Sequence, residues 1–242
     1  MNHNLTLKVC IAIPTINEEN NLKVLIPDLR NLFPNAYIVI IDDGSTDETY
    51  SYITQLMRTD PNLLGIYRNE RLGIGSAHLF AMDFAITKNF GILITMDGDL
   101  THSAKDAYKL LDAIQDNDIV IGSRYLQPKS IEGWSWLRIA LTHGGHLITK
   151  LFFGSNIDMS SGLRAYRVSQ IPFKSIQMNC SENYEFFFTS ILVFIKHKLK
   201  IAQVGVLLGS RGSGKSKMDL GLMFRGIVKL FEFGLRLKRV KI

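Results

Sequence analysis

The chain has 242 residues, 46% hydrophobic and 21% charged, an ordinary globular composition with length for one sizeable α/β domain. Two cysteines, Cys10 and Cys180, exclude a disulfide framework and a structural zinc site and fit a reducing cytosol. The net charge of +6 is concentrated in residues 196–242, where twelve Lys and Arg face only Asp219 and Glu232; without an aromatic-interleaved or recognition-helix motif this excludes nucleic acid and leaves anionic lipid or solubility.

In chain order, β-rich runs at 8–13, 37–41, 63–67, 91–96 and 118–122 alternate with helical patterns near 19–33, 48–59, 75–88 and 103–116. The first run is too short for a signal peptide and is followed at once by Pro14, Asn17, Glu18 and Glu19. Strand and helix at this spacing predict an open, mostly parallel sheet with helices on both faces. The second half is less regular. Residues 134–153 form an apolar pattern interrupted by Arg138, His143, His146 and Lys150, consistent with a surface helix. Residues 184–195 are strongly apolar, 200–208 read as a strand, and a Gly/Ser/Lys loop at 209–217 leads into an apolar-basic segment. The expected division is a domain over 1–217 and an amphipathic basic helix over 218–242. Arg225, Lys229, Glu232 and Arg236 make that helix a poor membrane span. It would lie in the membrane interface, or pack on the domain or a partner subunit.

In parallel sheets ligands bind beyond the carboxyl ends of the strands. Three polar segments fall there: Pro14-Thr15-Ile16-Asn17-Glu18, Asp42-Asp43-Gly44-Ser45-Thr46-Asp47 and Asp97-Gly98-Asp99. In the last, alternation aims both carboxylates the same way, and Gly98 permits close approach to the backbone. Such a pair suits Mg²⁺ or Mn²⁺ holding a diphosphate. Asp47 and Asp158 read as caps or turn formers, and His143 and His146, without acidic or Cys neighbours, as ordinary histidines. Residues 209–216 also match the phosphate-binding pattern G-x-x-x-x-G-K-[ST], with Lys215 and Ser216 in its key positions. An ATPase built on it would leave the three acidic strand ends unexplained.

Taken in order, the motifs resemble glycosyltransferase family 2, within it the dolichol-phosphate mannose synthase group. Pro14-Thr15-Ile16-Asn17-Glu18-Glu19-Asn20, the Asp42–Asp47 run, Gly73-Ile74-Gly75-Ser76-Ala77 and Asp97-Gly98-Asp99-Leu100-Thr101-His102 are similar to that group's motifs. So are Gly122-Ser123-Arg124-Tyr125, Asp158-Met159-Ser160-Ser161-Gly162-Leu163-Arg164 and Arg211-Gly212-Ser213-Gly214-Lys215-Ser216-Lys217. Ile16 stands where an aromatic is frequent, Ser103-Ala104-Lys105-Asp106 lacks the usual Pro-Glu, and Asn183-Tyr184-Glu185 matches only loosely.

The resemblance implies a GT-A nucleotide-sugar-binding fold. It implies that Pro14, Ile16, Glu18, Ile41 and Asp43 serve the nucleoside side of the donor. Asp97, Gly98 and Asp99, with Thr101, would serve a divalent ion and the diphosphate. Arg124, Arg138, Arg211 and Lys217 would hold two anionic partners in line, with Asp99, Arg124, Arg211 and Lys217 carrying catalysis. The implied donor is GDP-mannose, with UDP-glucose or another UDP-sugar as runner-up. The implied acceptor is a polyprenyl or dolichyl monophosphate, whose second pKa of about 6 makes it an anion that needs little help from a base. A saccharide acceptor would instead require a carboxylate base, for which Glu185 and Asp158 are the candidates. A peripheral enzyme is expected, with 134–153 and 218–242 resting on the cytoplasmic face of the membrane. A second copy of the chain or a membrane protein are the candidate protein partners. The reading from another class is a catalytically silent nucleotide-binding scaffold.

Overall fold

The computed structural model describes residues 7–127, 130 and 136–209. Seven strands form one sheet: β1 (Val9–Thr15), β2 (Tyr37–Asp42), β3 (Leu63–Tyr67), β4 (Ile92–Thr95), β5 (Ile119–Ser123), β6 (Arg164–Arg167) and β7 (Ile201–Gly205). Their spatial order is β3-β2-β1-β4-β6-β5-β7. All pairings are parallel except those of β6, which runs antiparallel to both β4 and β5. The helices are α1 (Glu19–Leu32), α2 (Thr49–Thr59), α3 (Ile74–Thr87), α4 (Ala104–Ala113), α5 (Trp136–Phe153), α6 (Phe173–Asn179) and α7 (Phe186–Lys196).

Alternation along the strands divides the core into two layers. Ile11, Ile13, Ile38, Ile40, Ile92 and Ile94 face one side and meet Leu22, Leu25 and Leu29 of α1, Ile53 of α2 and Leu110 of α4. Cys10, Ala12, Val39, Ile41 and Leu93 face the other and meet Ala77, Ala81 and Met82 of α3 and Phe186, Ile191 and Phe194 of α7. Strands covered on both faces read as continuous apolar runs, which is why β1, β2 and β4 stand out in the sequence.

The expected mostly parallel α/β sheet is present, and the first-half elements fall within a few residues of their expected positions. Two features were not anticipated: the short antiparallel β6 and helix α6. The expected strand over 200–208 is confined to Ile201–Gly205. The chain leaves β1 toward β2 and β3 and then returns to β4 on β1's other side, so a crevice opens between the ends of β1 and β4. Because β6 is antiparallel, its start, and the turn before it, lie at the same edge as the ends of β4 and β5. The expected boundary at 217 and the 218–242 helix lie outside the described residues.

Candidate active site

The ends of β1 and β2 are tied into one unit. The Asp43 amide donates to Thr15 O (2.8 Å) and the Asn17 amide to Ser45 Oγ (2.8 Å). The Thr46 amide donates to Asn17 Oδ1 (2.8 Å), and the Glu18 amide to Thr49 Oγ1 (3.0 Å). Asn17 takes a left-handed backbone (φ 53°), a conformation Asn tolerates better than most residues. Burial raises the Asp42 carboxyl above its ordinary range, partly offset by hydrogen bonds from the Ser45 amide and hydroxyl. Asp42 therefore serves the turn. Asp43 accepts the amides of Leu72 and Gly73 (both 3.1 Å) and pairs with Arg68 at 2.7 Å. It anchors the 68–73 segment, in which Gly73 has a φ of 92° that a side chain would resist.

Asp97 and Asp99 follow β4. The Thr101 amide and hydroxyl both donate to Asp99 Oδ1, at 3.0 and 2.5 Å, across a turn made by Leu100 in a left-handed conformation (φ 65°). Thr101, expected as a metal contact, is thus placed beside Asp99 with its hydroxyl hydrogen committed to that carboxylate. Asp97 lies against Gly162, where a Cβ would stand 3.2 Å from both carboxylate oxygens.

At the end of β5, Arg124 Nε pairs with Asp158 Oδ2 at 2.9 Å. Asp158 is fully buried, accepts the Ser160 amide (3.2 Å) and hydroxyl (2.9 Å), and so closes the turn before β6. Burial would raise its carboxyl, but the Arg124 guanidinium and these donors outweigh that and hold it low; the Arg124 guanidinium is raised in return. His102 is buried beside this pair. Burial first, and then the Arg124 charge, lower it to about 4, so it is neutral at pH 7.

These strand ends line one cavity of about 540 Å³. The ends of β1 and β2 contribute Pro14, Thr15, Ile16, Glu18 and Asp43, and the ends of β4 and β5 contribute Asp97, Gly98, Asp99, Thr101, His102 and Arg124. Arg68, Arg71, Gly73, Ile74, Ala77, Ser160, Gly162, Asn183, Tyr184, Phe187 and Leu208 complete its walls. Ile41 is fully buried in the layer facing α3 and does not line the cavity, because alternation along β2 turns its side chain into the core. Arg68, Arg71 and Phe187 are additions. The two arginines sit just past the end of β3, the same strand-end position that marks the motifs after β1, β2 and β4. Asp47 accepts the Thr49 amide (3.0 Å) at the start of α2, as a cap would. His146 stacks on Tyr125 with ring centroids 3.8 Å apart. Arg211 and Lys217 lie outside the described residues, as does the side chain of Arg138. Gly209, the last described residue, donates its amide to Thr101 O (3.0 Å).

The pattern of the family described as Glycosyl transferase family 2 matches residues 10–171. The chain is 28% identical over 234 residues to the polyprenol monophosphomannose synthase of Mycolicibacterium smegmatis, covering 96% of this chain and 88% of that one. It is 27% identical over 232 residues to the undecaprenyl-phosphate mannosyltransferase of Micrococcus luteus, covering 95% of each. It is 28% identical over 214 residues to a UDP-N-acetylglucosamine–dolichyl-phosphate N-acetylglucosaminyltransferase of Methanococcus voltae, covering 82% of this chain and 84% of that one. Among solved structures, it superposes on glucosyl-3-phosphoglycerate synthase of Mycobacterium tuberculosis in complex with Mn²⁺, UDP and glucosyl-3-phosphoglycerate. That match has a TM-score of 0.69 and 16% identity, over 93% of this chain and 79% of that one. The same enzyme with Mg²⁺ and UDP gives 0.65 and 16%, over 93% and 78%. At that identity the likeness establishes the GT-A fold.

Proposed function

The chain belongs to glycosyl transferase family 2, and from that premise we propose that this glycosyltransferase moves a sugar, mannose from GDP-mannose, to a polyprenyl monophosphate. The observation that carries the reading is the meeting, in one cavity at the β1/β4 crevice, of the Asp97/Asp99 pair with Arg124. The nucleoside would lie at the Pro14–Glu18 and Asp43 end. Two carboxylates on one wall are the donor set that Mg²⁺ or Mn²⁺ takes from protein when substrate phosphates complete its shell. Asp97 and Asp99 would hold it, and when bound it supplies charge neutralisation to the departing nucleoside diphosphate.

The acceptor's phosphate oxygen would bond to the anomeric carbon as the bond to the diphosphate oxygen breaks, inverting the configuration. Neither candidate base suits a saccharide acceptor. Asp158 is neutralised by Arg124, and Glu185 accepts the Ser181 hydroxyl (3.1 Å) without lining the cavity. A phosphate monoester needs no base, and Arg124, with Arg138, Arg211 and Lys217, would offset the repulsion between the two anions. The chain's path to Gly209, tied to Thr101 at the cavity, supports a contribution from the basic 211–217 segment. A UDP-sugar donor is the second reading, favoured by the Methanococcus relative's name.

Among the described residues no helix is long and apolar enough to cross a membrane. Helix α5 exposes Leu147 (55%) and Leu151 (72%), which supports attachment to the cytoplasmic membrane face through α5 and the basic 218–242 segment. The test is transfer from a panel of GDP- and UDP-sugars to a short polyprenyl phosphate or to free saccharides, with Mn²⁺ or Mg²⁺, read by mass spectrometry. Transfer from GDP-mannose to the lipid phosphate supports the proposal; transfer only to saccharides overturns it.

A further inference from the structure

Arg164 is fully buried, yet among the described residues it forms no ion pair. Its guanidinium is satisfied by oxygens from two separate segments. Nε donates to Ser161 O (2.8 Å) and Nη2 to Met159 O (3.1 Å), both in the turn before β6. Nη2 also donates to Phe187 O (2.8 Å) and Nη1 to Ser190 Oγ (2.8 Å), both in α7. Its charge lies over the Phe187 ring, 5.3 Å from the centroid. His78 packs edge-on against the same ring at 5.0 Å, and burial together with the Arg164 charge lowers that imidazole to about 3, so no second cation competes there.

The position matters as much as the bonds. In register, Arg164 stands opposite Thr95 of β4 on one side and Ile121 of β5 on the other. Asp97 lies two residues beyond Thr95, and Arg124 three beyond Ile121. The turn that Arg164 grips carries Asp158, which holds Arg124, and Gly162, which backs Asp97. The helix that it grips carries Phe187, on the cavity wall. A planar fork with five donors can join such segments in fixed geometry; a single ammonium cannot reach all four oxygens.

We propose that Arg164 is a positioning residue, a buried clamp that sets Asp97 against the diphosphate side of the cavity, aims Arg124 from the other, and fixes the Phe187 wall between them. The inference rests on the glycosyltransferase reading for its kinetic arm, but not for its binding arm. The experiment compares wild type, Arg164→Lys, Arg164→Met, Ser190→Ala and the core control Ile53→Ala, which lies outside the cavity. Thermal midpoint, Mn²⁺ affinity in the presence of GDP (by electron paramagnetic resonance), and kcat and KM for GDP-mannose are measured well below the midpoint.

Arg164→Met should lower kcat at least tenfold and weaken Mn²⁺ binding, with the KM for donor changed far less, because the nucleoside end is built by β1 and β2. Arg164→Lys should fall between it and wild type. If Arg164→Met does not fold, Ser190→Ala, which removes one of the bonds, should still lower kcat by a few-fold. Ile53→Ala should lose thermal stability and keep wild-type kcat. Wild-type kcat and Mn²⁺ affinity in the Arg164 or Ser190 variants would overturn the proposal, as would an equal kcat loss in Ile53→Ala. Absence of lipid transfer by the wild type would count against the function, while the Mn²⁺ affinities would still decide the clamp.

Discussion

Gly162→Ala tests the geometry at Asp97 with a single methyl group. The added Cβ would stand 3.2 Å from Asp97 Oδ1 and 3.2 Å from Oδ2, tighter than an ordinary carbon–oxygen contact. Gly162 has no positive φ, so its backbone does not bar alanine, but the tight contact in this buried turn should cost about 1–3 kcal/mol of stability. Relief must come from the carboxylate or the turn shifting by a few tenths of an ångström. A misplacement of about 1 Å costs on the order of 10²-fold in rate, so a shift of this size should lower kcat roughly 3- to 10-fold, or about 0.7–1.4 kcal/mol. Gly162→Val should cost more. Steady-state kinetics with Mn²⁺ varied, beside urea unfolding, separates the effects. Unchanged kcat and Mn²⁺ dependence in folded Gly162→Val would refute the placement of Asp97 in the reaction.

Arg124→Met should destabilise the protein by about 3 kcal/mol, because it leaves Asp158 buried without its counter-charge. Adding Asp158→Leu should restore much of the urea midpoint but not the activity; recovered activity would make Arg124 structural only. His78 is neutral in the fold, with its pKa lowered from 6.5 to about 3, and neither ring nitrogen has a partner among the described residues. The unfolded chain therefore binds the extra proton, and His78 should remove about 1.4 kcal/mol of stability per pH unit below 6.5, toward pH 3, beside a like loss from His102 down to about pH 4. His78→Phe should flatten the urea midpoint between pH 6 and 5 by that amount, and an unaltered slope would show another group responsible. Gly144 and Gly145 sit in α5 with nothing among the described residues within 4 Å of an added Cβ, so each Gly→Ala change should stabilise by about 0.5–1 kcal/mol in urea unfolding. Flotation with anionic liposomes should show salt-sensitive binding that falls on deleting 218–242, since each basic residue near anionic lipid contributes about 1 kcal/mol. Binding that ignores both salt and deletion would sink the peripheral attachment.

Strands β1, β2, β4 and β5 were legible because double-sided burial writes unbroken apolar runs such as Ile38-Val39-Ile40-Ile41, whereas the edge strand β3 showed as a short apolar run though it is only partly buried. Strand β6 was not, because Arg164-Ala165-Tyr166-Arg167 reads as polar. Its buried arginine is solvated by carbonyl oxygens of the turn just before it and by oxygens of α7, more than twenty residues on, which no local pattern reveals. The carboxylate and arginine motifs identified the cavity because they fall at strand ends. What they missed was pairing. Asp43 is engaged by Arg68, and Arg124 by Asp158, contacts separated by 25 and 34 residues. Ile41, named through the resemblance, packs in the core layer facing α3, because alternation along β2 turns its side chain there.

The most direct test of the central claim is the mass of the lipid product formed from GDP-mannose and a short polyprenyl phosphate by wild type and Asp99→Asn. Wild type should add one hexose to the lipid phosphate, and lose that product when a chelator is present. Asp99→Asn, folded by circular dichroism, should add none. A hexose transferred undiminished by Asp99→Asn, or in the presence of the chelator, would contradict the assignment of the Asp97/Asp99 pair.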